Sequence, residues 1–92
     1  MPVLSEGEIK ERLKCLEDWE MKGGEITKTY PHKDFIDAIS FVNKVAILAE
    51  KANHHPDILI RYNKVTLTLS THDEGGITDR DFSLARKIDG RK

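Results

Sequence analysis

Three of the four histidines, His54, His55 and His72, fall where acid–base chemistry could be done. Imidazole titrates near neutral pH, so a cluster can hold one ring neutral as base and another charged as acid. The residues between them predict a hairpin. Ile58, Ile60 and Tyr62 alternate with Leu59 and Arg61, and Val65, Leu67 and Leu69 alternate with Thr66, Thr68 and Ser70. With Asn63-Lys64 as a two-residue turn, Tyr62 faces Val65, Ile60 faces Leu67, Ile58 faces Leu69, and His55 faces His72. His54 sits one residue earlier, where a curl before Pro56 turns its ring toward the same spot. Taken singly, each of these histidines reads as a helix-end cap or an exposed strand terminus. Three converging on one place read as a site. Three imidazoles and a water can also hold a catalytic zinc, but adjacent His54 and His55 point to opposite faces if extended, and no HExxH pattern accompanies them. Metal is therefore the weaker reading.

The elements that must position these rings are marked by their ends. Ser5 followed by Glu8 is a capping-box signature with Leu4 and Ile9 as a hydrophobic staple, opening a helix over about residues 6–16. Trp19 and Met21, then Ile26, Lys28 and Tyr30, flank Gly23-Gly24 as a first hairpin. A broad apolar face from Phe35 to Ala52 predicts a long, largely buried helix over 34–53, which Pro56 prevents from continuing. Thr78 with Asp81 opens a last helix carrying Phe82, Ala85 and Ile88, ending near Gly90. The order helix, strand, strand, long helix, strand, strand, helix predicts an α+β fold, a four-stranded antiparallel sheet with helices packed on one face.

Composition narrows the class. Ninety-two residues suit one domain, 1–92, burying about two thirds of its unfolded surface. Fifteen Lys and Arg against sixteen Asp and Glu are interspersed, so no nucleic-acid footprint is indicated. A lone Cys15 excludes an intrachain disulfide and multi-thiolate zinc sites. No eighteen-residue apolar run and no signal-like segment occur, giving no membrane partner and an expected cytoplasmic location. Exposed sheet edges predict self-association.

The stretch from Glu50 through His54-His55-Pro56, Tyr62, Val65, Thr71-His72, Gly76, Thr78 and Asp81 resembles pterin-4a-carbinolamine dehydratases. The similarity extends upstream through Trp19, Gly23, Ile26, Lys28, Tyr30 and Phe35. The resemblance implies a four-stranded sheet covered by helices, assembled as a homodimer or homotetramer. It implies removal of water from a 4a-hydroxytetrahydropterin to give a quinonoid dihydropterin, in pterin recycling for aromatic amino acid hydroxylases, with neither metal nor organic cofactor. By motif match, His54 and His72 are the acid–base candidates and His55 holds and polarises the substrate. Pro56 shapes the wall, Thr71, Asp73 and Glu74 contact the pterin, and Glu50 orients His54 or stabilises its charged form. Asp81 is either a capping-box carboxylate or a group near the site, and Trp19 either core or a stacking wall. Asn53 stands where some relatives have Asp. His32 has no partner motif and reads as a surface residue. Two other functions stay open: a protein-binding or dimerisation module, and action on another pterin, such as one in molybdopterin metabolism.

Overall fold

The computed structural model describes residues 2–90. Helix α1 (Glu6–Leu13) starts at Ser5, whose hydroxyl accepts from Glu8 N–H while Glu8 takes the Ser5 N–H, the reciprocal capping box. Those bonds hold the Glu8 carboxyl below the usual carboxylate range. The helix stops earlier than the spacing predicts. Leu16 still reaches the core, but through a turn, and Asp18 takes the left-handed conformation at φ 64° before the first strand begins.

Strands β1 (Glu20–Lys22) and β2 (Glu25–Pro31) follow, joined by Gly23-Gly24. Both glycines have positive φ, 57° and 80°, as a turn matching the right-handed strand twist requires. Helix α2 (Phe35–Ala52) is capped by Asp34, which accepts from Asp37 N–H at 2.8 Å, and ends on Asn53 in the left-handed region. Strands β3 (Asp57–Arg61) and β4 (Lys64–Leu69) precede one 3₁₀ turn, His72–Glu74, and helix α3 (Asp79–Ile88). The sheet is antiparallel in the order β1-β2-β4-β3, so the two hairpins join through β2 and β4 and leave β1 and β3 as edges.

The core lies on one side of the sheet. Ile26, Val65, Leu67 and Leu69 point at Ala38, Val45 and Ala49 of α2 and at Phe82, Leu84 and Ala85 of α3, with Leu4 and Ile9 closing one margin. On the opposite face Thr29 pairs with Thr66 at 2.8 Å, and Thr27 with Thr68 at 3.3 Å. This is the α+β arrangement the element order predicts.

Three further expectations need correction. Helix α2 is not largely buried: Ile36 is 70% and Ile47 58% exposed, because the chain supplies one helical layer and covers only one stripe of α2. The second hairpin turns at Tyr62-Asn63, pairing Arg61 with Lys64, Ile60 with Val65 and Ile58 with Leu67. The slip is two residues, so the faces are preserved, but His55 does not face His72 by that count. The cause is nonlocal. His32 N–H donates to Asn63 O at 2.7 Å and Asn63 Nδ2 donates to His32 O at 2.9 Å, fixing the turn, with Tyr62 at φ 53°. His32 is accordingly partly buried, its ring 4.9 Å from that of Phe41, and is not simply a surface residue.

Candidate active site

The site is built where α2, β3, β4 and α3 end or begin together. Asn53 leaves α2 in the left-handed conformation, and Pro56 forces an extended entry into β3, so His54 and His55 occupy a sharp corner. Arg80 of α3 secures that corner by donating to Asn53 O at 2.9 Å, and its other nitrogen lies 3.9 Å from Asp73.

His54 points inward and is 7% exposed. Its Nε2 donates to Asp81 Oδ1 at 2.5 Å. Asp81 is completely buried, and its other oxygen accepts from Thr78 N–H at 2.9 Å and from Thr71 Oγ1 at 3.0 Å. Thr71 also meets Thr78 Oγ1 at 2.8 Å. One carboxylate therefore closes the capping box of α3 and fixes the His54 ring. A buried carboxylate is tolerated when its oxygens are this fully engaged.

His72 is one residue beyond Thr71 and points the other way, off the open face of the sheet. Ser70 Oγ lies 3.4 Å from its Nε2, and Glu25 and Asp57 each bring a carboxylate oxygen within 4.8 Å of the ring. His72 opens onto a shallow recess of about 340 Å³ lined also by Gly23, Gly24, Glu25, Ser70 and Gly76. His55 is exposed, two positions before Asp57, and donates from Nε2 to Glu50 Oε1 at 2.7 Å. Glu50 thus meets His55 rather than His54, because five residues separate them across the end of α2. The three histidines share one end of the sheet, but His54 borders a different recess, with Asp79, Arg80 and Ser83.

The remaining candidates divide. Pro56 is half-buried at the corner, and Asp73 and Glu74 are exposed on the 3₁₀ turn beside His72. Thr71 is fully buried, its hydroxyl committed to Asp81 and Thr78. Trp19 is core: 5% exposed, its Nε1 donates to Asp89 Oδ2 at 2.8 Å, and Asp89 stands eight residues beyond Asp81, just past the far end of α3. Tyr30 OH also donates to Asp89, and burial, reinforced by that bond, pushes the tyrosine pKa well above its ordinary value. Sequence reasoning missed Glu25, Asp57 and Arg80. Their only local signals are the positions of Asp57 directly after Pro56 and of Glu25 directly after the glycine pair.

The family model described as Pterin 4 alpha carbinolamine dehydratase matches residues 2–91. A provisionally named pterin-4-alpha-carbinolamine dehydratase of Chloroflexus aurantiacus is 55% identical over 89 residues, 97% of this chain and 96% of that one. Its counterpart in Sulfurisphaera tokodaii is 52% identical over the same shares. Among solved structures, a transcriptional coactivator/pterin dehydratase from Brucella melitensis superposes with a TM-score of 0.91 at 39% identity, over 96% of each chain. A pterin dehydratase-like RuBisCO assembly factor of the alpha-carboxysome, 20% identical with a TM-score of 0.63 over 78% of this chain and 83% of that one, shares the fold. With a match that runs nearly end to end, this chain belongs to the pterin 4 alpha carbinolamine dehydratase family.

Proposed function

We propose that the protein dehydrates a 4a-hydroxytetrahydropterin to the quinonoid dihydropterin, as a hydro-lyase. The reaction needs a proton delivered to the leaving hydroxyl and a proton removed from the neighbouring ring nitrogen. The carbon–oxygen bond breaks, a carbon–nitrogen double bond forms, and water leaves. His72, exposed beside an open recess, is suited to exchange protons with a bound pterin. His54 takes the second acid–base role through the nitrogen that Asp81 leaves free, its tautomer set by that carboxylate. His55, steadied by Glu50, holds and polarises the substrate, with Pro56, Asp73 and Glu74 along the wall and Thr71 behind it, its backbone holding the turn that carries His72. The reaction proceeds without metal or organic cofactor, and its place is the recycling of pterin for an aromatic amino acid hydroxylase in the cytoplasm. The observation that carries this reading is His72 exposed beside the open recess, at the end of the sheet where the carboxylate-held His54 and the Glu50-held His55 also lie.

The test is dehydration of freshly generated 4a-hydroxypterin. His72→Ala should lower the rate by ~10²–10⁴-fold, the range of general acid–base catalysis, with the fold intact by circular dichroism. Full activity in that variant, or activity abolished by chelator and restored by zinc, refutes the assignment. A second reading, a protein-binding role, is favoured by the apolar residues Ile36 and Ile47 left uncovered on α2, and by the coactivator description of the Brucella relative. An intact rate with the His72 variant together with a captured protein partner would favour it.

A further inference from the structure

Three elements meet beside His72 and bring together groups that the dehydration chemistry does not use. Glu25 opens β2, Asp57 opens β3, and His72 begins the 3₁₀ turn after β4. One carboxylate oxygen of each acid and an imidazole nitrogen lie within 4.8 Å of one another. Ser70 sits among them, its hydroxyl 3.5 Å from Glu25 Oε2 and 3.4 Å from His72 Nε2. Two carboxylates at this separation repel. Among the described residues, neither has a lysine or arginine within ion-pair distance.

We propose that Glu25, Asp57 and His72 form a binding site for one divalent transition ion of the zinc class, and that the bound ion inhibits the enzyme. Two carboxylates and a neutral imidazole carry a charge of about −2, which a dication cancels. An imidazole with two carboxylates suits zinc, cobalt, nickel or copper, whereas magnesium and calcium prefer oxygen donors alone. A tetrahedral zinc with bonds of about 2.0–2.1 Å needs donor atoms roughly 3.3 Å apart, so no pair of the three must close by more than about 1.5 Å. Asp57 and His72 are exposed and can rotate to do so, while half-buried Glu25 is the fixed reference. The fourth position faces the open recess and takes water. An ion held there occupies a His72 nitrogen and removes it from proton transfer. The inhibition rests on the role given to His72 in the proposed reaction, but the ion site itself does not.

The experiment titrates zinc chloride into the chelator-dialysed, full-length protein by calorimetry and follows dehydration in parallel. One zinc should bind per chain, millimolar magnesium should not displace it, and Glu25→Gln should weaken binding by about tenfold or more. His72→Ala should abolish binding. In the unsubstituted protein dehydration should fall in step with occupancy, and excess chelator should restore it. No zinc binding, or binding of equal strength in Glu25→Gln, overturns the site. Zinc bound at this site with undiminished dehydration overturns the inhibition, and with it the assignment of His72 to the reaction, while leaving the ion site standing.

Discussion

Replacing Asp81 with alanine tests whether one carboxylate holds both the start of α3 and the His54 ring. The substitution removes the acceptor from three donors: Thr78 N–H, Thr71 Oγ1 and His54 Nε2. Thr71 keeps a partner in Thr78 Oγ1, so it contributes little. Losing the capping bond costs about 1 kcal/mol. Orphaning the His54 nitrogen in a buried pocket, where the bond was to a charged group, costs about 2–3 kcal/mol. The sum, roughly 3–4 kcal/mol, agrees with the range for breaking a buried ion pair. For a chain of this size it lowers the thermal midpoint by at least ~12 °C. Asp81→Asn should be milder, since an amide oxygen can still cap α3. Urea unfolding of both variants, of His54→Ala and of Asp81→Ala/His54→Ala measures the terms separately. The double variant should lose less than the sum of the singles, by about 1–2 kcal/mol of coupling. A loss below about 1 kcal/mol for Asp81→Ala, or strict additivity, would sink the account of a shared carboxylate.

Further outcomes are expected elsewhere in the molecule. Because the folded-state pKa of Tyr30 is raised, both folded and unfolded chains keep the phenol proton at neutral pH, and stability falls as pH rises above the ordinary tyrosine value near ~10. Tyr30→Phe should cost about 1 kcal/mol at pH ~7 and flatten the decline in urea midpoint at alkaline pH; an equally steep decline would contradict the burial argument. Gly75, at φ 80°, ends the 3₁₀ turn that carries His72, so Gly75→Ala should destabilise by about 1–2 kcal/mol and impair dehydration beyond its effect on folding, measured by unfolding and rate assays below the transition. Light scattering at micromolar concentration should give two or four times 10.5 kDa, since β1 and β3 are edges and Ile36 and Ile47 are uncovered; a monomer that persists at high concentration refutes the edge argument.

Features legible in the sequence are those whose causes are local. Ser5 with Glu8 and Thr78 with Asp81 specify reciprocal bonds three residues apart, and the glycine pair specifies its own turn, so helix starts and the first hairpin could be read directly. The histidine pair before Pro56 could likewise be placed at a corner. The register of the second hairpin was not legible, because Asn63 is fixed by His32, 31 positions away. Trp19 was undecided for a similar reason: its partner Asp89 is 70 positions distant. The apolar breadth of α2 reads as burial whether the cover is the chain itself or another molecule, and only the packing shows that the chain covers one side. Asp57 and Glu25 were missed as neighbours of His72 because three separate elements must assemble before they meet.

The central pairing of β2 with β4 also sets a clock for the nascent chain. Thr27 bonds to Leu67 O across 40 positions, whereas each hairpin is joined by a turn of two residues. Closing a loop that long costs about 3 kcal/mol of chain entropy, so the hairpins, which form in ~1–10 μs, precede the step that joins them. During synthesis at ~5–20 residues per second, β2 leaves the ribosome roughly 2–8 s before its partner. Throughout that interval its outer backbone groups are open to any passing strand. Pro31 at the end of β2, which has no N–H to offer a pairing strand, is the residue suited to discourage such encounters, so Pro31→Val should lower the soluble yield during expression by more than it lowers the stability of the finished protein.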